Sequence, residues 1–155
     1  MVKIKNRYYV VRIVANDESP VENIRKGQIF SELMRLTLEM FGDVGYSLVK
    51  MSLSIRVQDE DIVVIRIAES GERYFSAVIP CVLKFANQPV VLNTIFIGRS
   101  MRSCEKRLIQ YRRDELHSSL SRCKTANEKR EVLESIRKIC GKSTRIFSDA
   151  DSKKQ

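Results

Sequence analysis

Val49-Lys50-Met51-Ser52-Leu53-Ser54-Ile55-Arg56-Val57, then Gln58-Asp59-Glu60-Asp61, then Ile62-Val63-Val64-Ile65-Arg66-Ile67-Ala68 is the stretch on which the fold turns. Residues 46–57 alternate, with Val49, Met51, Leu53, Ile55 and Val57 on one face and Lys50, Ser52, Ser54 and Arg56 on the other. That alternation predicts a half-buried strand. The four polar residues make a short turn, and Ile62–Ala68 returns as the antiparallel partner of a hairpin.

Upstream, Arg7-Tyr8-Tyr9-Val10-Val11-Arg12-Ile13-Val14 is β-branched and aromatic and reads as the first strand. Ser19-Pro20-Val21-Glu22 then has the form of a capping box with proline at the first helical position. Ile29, Phe30, Leu33, Met34, Thr37 and Phe41 follow at helical spacing, and Gly42 supplies a stop. Gly27 weakens the first turns, which also permits a start near Gln28. Downstream, Gly71 opens a second helix with Phe75, Val78, Ile79, Val82 and Ala86 on one side. Pro80 inside it is expected to kink it. After Asn87-Gln88-Pro89, Val90–Ile97 makes a fourth strand.

The order β-α-β-β-α-β is that of the ferredoxin-like, RRM-like antiparallel sandwich, an α/β fold of the α+β kind. Each helix carries one apolar stripe, so both are expected on one face of the sheet. Two extra C-terminal helices are expected. One starts near Ser100; the other starts at a second capping box, Thr125-Ala126-Asn127-Glu128, and stops at Gly141. The expected organisation is therefore a core over 1–98, a helical extension packed on it over 99–145, and a flexible tail over 146–155.

The chain's 155 residues are enough to bury a core without disulfides or metal. No uncharged apolar stretch approaches the roughly 18 residues of a membrane span, and Arg12 interrupts the short apolar run behind the basic start, so no secretory leader is expected. Cys81, Cys104, Cys123 and Cys140 form no close pair, which speaks against structural zinc, and each is expected to be a small core residue.

Charge is unevenly placed. Residues 1–12 carry Lys3, Lys5, Arg7 and Arg12 and no acid; residues 13–98 have 8 basic and 11 acidic side chains; residues 99–145 have 14 basic and 6 acidic ones, within a total net charge of +9. Two basic segments framing an acidic middle resemble a polyanion footprint built from both ends of the fold. At 100° per residue, Arg99, Arg102, Lys106, Gln110, Arg113 and His117 share one face of a helix, with Cys104, Leu108 and Tyr111 opposite. Only Glu105 offsets the six basic residues from Arg99 to Arg113, whereas a merely solvated face usually interleaves signs. Arginine's planar fork suits phosphate.

Tyr9 shares its parity with Val11 and Ile13 and belongs to the core. Tyr8, beside Lys3, Lys5 and Arg7, either stacks on a base or caps the sheet edge. The third strand has no aromatic, which argues against base stacking on an open sheet as RNA-recognition motifs do it. Enzymatic machinery is thin: His117 has no nucleophile setting, Asp59-Glu60-Asp61 is read as a solvated turn, and no glycine loop cradles phosphate.

The opening Met1-Val2-Lys3-Ile4-Lys5-Asn6-Arg7-Tyr8, with Asn93-Thr94-Ile95-Phe96-Ile97-Gly98-Arg99-Ser100-Met101-Arg102-Ser103-Cys104 and Leu108-Ile109-Gln110-Tyr111, resembles the Pop-five protein subunit family of eukaryotic ribonuclease P and RNase MRP. The resemblance covers residues 1 to about 140. It implies an RRM-like sandwich with extra helices and a non-catalytic subunit of a nuclear, nucleolar ribonucleoprotein whose RNA, with Mg²⁺, removes 5′ leaders from precursor tRNA. The implied partners are ribonuclease P RNA, RNase MRP RNA as a second candidate, a TIM-barrel-like protein subunit and other subunits of the complex. Precursor tRNA is met only indirectly; the protein itself holds no cofactor, and no membrane is involved. Residues expected at RNA are Lys3, Lys5, Arg7, Tyr8, Arg99, Arg102, Lys106, Arg107 and Arg113. The family pattern tends to a second glycine where this chain has Arg99, so a direct salt contact is an alternative to a backbone contact there.

Two other readings use the same fold. A ferredoxin-like small-molecule regulatory or protein-interaction module leaves the basic 99–145 segment without a role. An acylphosphatase-type enzyme needs a glycine-rich anion loop after the first strand, where this chain has Ala15-Asn16-Asp17-Glu18. A face of the sheet carrying Val10, Arg12, Ser52, Arg66, Leu92 and Phe96 is expected to be covered by a C-terminal helix or by a partner.

Overall fold

The described elements run β1 (Asn6–Ala15), α1 (Lys26–Ser52), β2 (Ser54–Asp59), β3 (Ile62–Ala68), α2 (Glu69–Val78), a 3-10 turn (Ile79–Cys81), β4 (Lys84–Phe85), β5 (Gln88–Gly98) and α3 (Met101–Arg122). The structure is a computed structural model and describes residues 5–15, 24–59, 61–85, 88–122, 129–130 and 133–134. Residues 1–100 and 101–155 form two compact units. The first is an antiparallel sheet in the order β2-β3-β1-β5-β4. With β5 as the fourth ferredoxin strand and β4 a two-residue addition at its edge, this is the expected sandwich.

The core lies between the sheet and its two helices. Tyr9, Val11 and Ile13 of β1 and Val63, Ile65 and Ile67 of β3 meet Ile29 and Leu33 of α1 and Phe75 and Val78 of α2. Tyr9 and Phe75 pack edge to face, 5.0 Å between centroids and 88° between planes, the arrangement that ring quadrupoles favour. Thr37 is the buried polar residue among them, and its hydroxyl donates to the Leu33 carbonyl at 2.6 Å, so its burial leaves no polar group unmatched.

Four expectations change. Residues 46–52 are helical and β2 begins only at Ser54. Gly42, at φ 62°, breaks α1 as its stop signal suggested, but the chain then re-enters the helix. Gly45 and Val49, one turn apart, are buried, whereas Met51 is 89% exposed. A side chain at Gly45 would press on Phe41 and meet Tyr74; those two rings pack edge to face at 5.1 Å. The alternation at 49, 51 and 53 was thus a coincidence of a helical period of four, and Ser52 belongs to α1 rather than to a sheet face.

Second, Pro80 does not kink α2. The helix ends at Val78, and Ile79–Cys81 tighten into a 3-10 turn, which needs no amide at the proline. Third, β5 carries a bulge: Val10 pairs with Phe96 but Val11 with Thr94. The extra residue reverses parity, so Leu92 joins the helix-facing core while Phe96 faces away, and the two do not share a face. Fourth, Cys81 is exposed while Cys104 is buried. Cys123 and Cys140 lie outside the described residues.

α1 starts at Lys26, where the Gln28 side chain accepts from the Arg25 amide at 2.8 Å. The Ser19–Glu22 and Thr125–Glu128 boxes lie outside the described residues, as does 146–155. Of the second C-terminal helix only 129–130 and 133–134 are described, and both are helical.

Candidate nucleic-acid interface

Antiparallel pairing brings the start of β1 beside the end of β5, with Tyr8 opposite Gly98. Arg99 therefore emerges next to Arg7 and Tyr8, although ninety residues separate them in sequence. The third contributor is α2, whose Glu69 amide donates to the Lys5 carbonyl at 2.9 Å. Together they form a cleft of about 490 Å³ lined by Lys5, Asn6, Arg7, Tyr8, Glu69 and Arg99. Four of the nine expected residues, Lys5, Arg7, Tyr8 and Arg99, meet there.

Of the other five, Lys3 lies outside the described residues. Arg102, Lys106, Arg107 and Arg113 stand exposed on α3, as do Gln110 and His117, while Cys104 and Leu108 are buried. The two-sided pattern read from helical spacing is the observed one. Arg107 donates to Gln110 at 3.1 Å across one turn.

The cations differ in what holds them. Arg7 Nε lies 3.3 Å from Glu72 Oε1, with both side chains less than a third exposed. That arginine is tied to the first turn of α2 and forms part of the cleft wall. At the other end of β1, Arg12 Nε sits 2.6 Å from Asp61 Oδ2. Among the described residues, Lys5 and Arg99 make no ion pair, and neither does Glu69, although all three line one cleft. Arg66 Nε donates to Asn6 Oδ1 at 3.1 Å across the β1–β3 pair. Next in the strand, burial holds the Tyr9 phenol above its usual pKa, the Glu72 carboxylate adds to the rise, and Arg7 and a hydrogen bond with Ser76 oppose it.

The face of the sheet away from the helices is no stacking platform. Val10 and Val64, paired across it, are completely buried. The polar end of that face, with Asn6, Tyr8 and Arg66, borders the cleft. Sequence reasoning missed Asn6, Glu69 and Glu72. The signal for the glutamates lay in two acids flanking Gly71 at the start of a helix, a position that favours carboxylates. Among the described residues no group of three His, Cys, Asp or Glu could hold a metal ion, and no helix is long and apolar enough to cross a membrane.

A model of the Rpp14/Pop5 family matches residues 7–109, well over half of the chain. The chain belongs to the Rpp14/Pop5 family. Among curated relatives, the ribonuclease P/MRP protein subunit POP5 of Bos taurus is 26% identical over 147 residues, covering 90% of this chain and 86% of that protein. The Homo sapiens protein of the same name is 25% identical over 147 residues, covering 90% of each. A chain in the cryo-EM structure of yeast ribonuclease MRP superposes with a TM-score of 0.54 at 16% identity, over 79% of this chain and 98% of that one. At that identity the likeness speaks for the fold. The family match takes in Arg7, Tyr8, Arg99, Arg102, Lys106 and Arg107; it begins after Lys5 and ends before Arg113. The resemblance read from the opening residues and the Asn93–Cys104 segment holds.

Proposed function

We propose that this protein is a non-catalytic, RNA-binding subunit of ribonuclease P and RNase MRP in the nucleus, with the nucleolus as its site of work. It stabilises an RNA that itself removes 5′ leaders from precursor tRNA. The observation that carries the reading is the convergence of Lys5, Tyr8 and Arg99 at one end of the sheet, together with the exposed row Arg102, Lys106, Arg107 and Arg113 on α3. Membership of the Rpp14/Pop5 family and the names of the curated relatives support it.

The physical task of such a subunit is to neutralise phosphates that crowd together when an RNA folds. Each phosphate contact releases condensed counterion, so four contacts to single-stranded RNA give a log-affinity versus log-salt slope of about −3. The divalent ions of the reaction sit on the RNA. Protein contacts to a TIM-barrel-like subunit and to other members of the complex complete the assembly. The reading is tested by purifying a tagged chain from cells and sequencing the RNA that accompanies it. Ribonuclease P RNA or RNase MRP RNA is expected to be strongly enriched; enrichment of neither over an untagged control overturns the reading.

A further inference from the structure

Opposite charges line the cleft without meeting. Lys5 and Arg99 are cations and Glu69 is a carboxylate, yet among the described residues none pairs with another within ion-pair distance. A cleft built only to grip a phosphate backbone gains nothing from Glu69, because a carboxylate beside phosphate is repelled. The cleft's volume of about 490 Å³ lies in the range of sites that enclose a small organic ligand, well above what one phosphate fills. Tyr8 adds an aromatic wall and Arg7, held by Glu72, a fixed one. Anion-binding groups, an aromatic ring and one carboxylate in one space match the three parts of a nucleotide: phosphate, flat base and the N–H edge of that base.

We propose that the cleft receives one unstacked nucleotide of single-stranded RNA, its phosphate toward Lys5 and Arg99, its base on Tyr8 and its donor edge toward Glu69. This rests on the RNA-subunit reading and narrows it to one site. Carboxylates read bases by accepting from their N–H groups. Guanine offers two adjacent donors, N1–H and N2–H, that match both oxygens of Glu69, whereas uracil offers one. The cleft therefore prefers guanine to uracil. Duplex RNA keeps its bases paired and cannot present that edge.

The test uses the full chain and fluorescein-labelled RNA in anisotropy titrations at fixed salt. The probes are the tetranucleotides UUGU and UUUU, a twelve-base-pair RNA duplex, and free GMP as competitor. UUGU is expected to bind several-fold more tightly than UUUU and than the duplex. GMP should compete only at much higher concentration; if it competes as well as UUGU, the cleft is a free-nucleotide site and the proposal is wrong. Tyr8→Ala should lose roughly ten-fold in UUGU affinity, the scale of one lost base stack, and Tyr8→Phe should retain it. Glu69→Gln, at an exposed position, should abolish the difference in affinity between UUGU and UUUU. If Glu69→Gln keeps the guanine preference, or the duplex binds best, the proposal is overturned whether or not Tyr8→Ala folds. The cellular pull-down separates the two levels: RNA recovered with the tagged chain but indifferent titrations sink only the nucleotide cleft.

Discussion

The two ends of β1 start from similar residues and reach different fates. At the far end Arg12 meets Asp61 at 2.6 Å, and the Ile13 amide donates to the Asp61 carbonyl at 2.7 Å, so the cation closes the sheet against the β2–β3 turn. At the near end Lys5 and Arg99 stand around a cleft with no ion pair among the described residues, and only Arg7 is tied down, by Glu72. A count of cations in the first twelve residues treats these as equivalent. Register separates them, because a cation is available to a polyanion only where no carboxylate of the same fold is delivered to it.

Both ends depend on the core beneath β1, so the largest effect belongs there. Phe75 is completely buried edge-on to Tyr9. Phe75→Ala should cost about 3–5 kcal/mol, read by urea denaturation, and should weaken the cleft and the Arg12 end together. A variant that kept wild-type RNA affinity, measured on its folded fraction, despite that loss of stability would show that the near end does not need this scaffold.

Charge reversal separates the two ends of β1. Lys5→Glu with Arg99→Glu should reduce the salt slope of RNA binding by about 1.4, two phosphate contacts at about 0.7 each, and lower affinity about 10–100-fold at low salt. The thermal midpoint should hardly move, since neither side chain has an ion-pair partner to lose among the described residues. An unchanged salt slope would place the phosphates elsewhere. Arg12→Ala is the mirror experiment. Its pair is partly exposed, so about 0.2–1 kcal/mol of stability should go, with RNA affinity unaltered. Equal losses of RNA binding at the two ends would mean that the Arg12 end meets RNA as the Lys5 end does.

Much of this was legible in the sequence, and the failures share a cause. β1, β3 and β5 are rich in β-branched residues whose propensity and burial agree, so local pattern and tertiary need pointed the same way. The cationic face of α3 was visible because a helical period sorts Arg102, Lys106 and Arg113 from Cys104 and Leu108 without knowledge of any neighbour. Residues 46–52 failed because Val49, Met51 and Leu53 satisfy a strand period on paper while Gly45 and Val49 satisfy a helical one in space. The bulge at Thr94–Phe96 reversed the parity of Leu92, and nothing in the residues announces a bulge. Within the site, Lys5, Arg7 and Tyr8 were found from local charge. Glu72's grip on Arg7 was not, since it depends on how α2 crosses β1.

The smallest effect concerns the tied arginine, and pH reads it. Tyr9 ionises above its ordinary 10.0, first because it is buried and next because of the Glu72 carboxylate, with Arg7 acting in the opposite direction. In the unfolded chain the phenol loses its proton near the ordinary value; in the folded chain it holds it longer. Below about pH 10 the contribution of the neutral phenol is fully present. It is lost as pH rises through the raised value, because the unfolded state then binds fewer protons than the folded one. Alkaline unfolding followed by tyrosinate absorbance should therefore show a loss of stability above pH 10 that Tyr9→Phe reduces. Arg7→Ala leaves the Glu72 charge uncompensated, so it should raise the Tyr9 titration further and steepen the same loss. An unchanged titration would mean that Arg7 does not offset Glu72, and that the near end of β1 holds a third cation open to RNA.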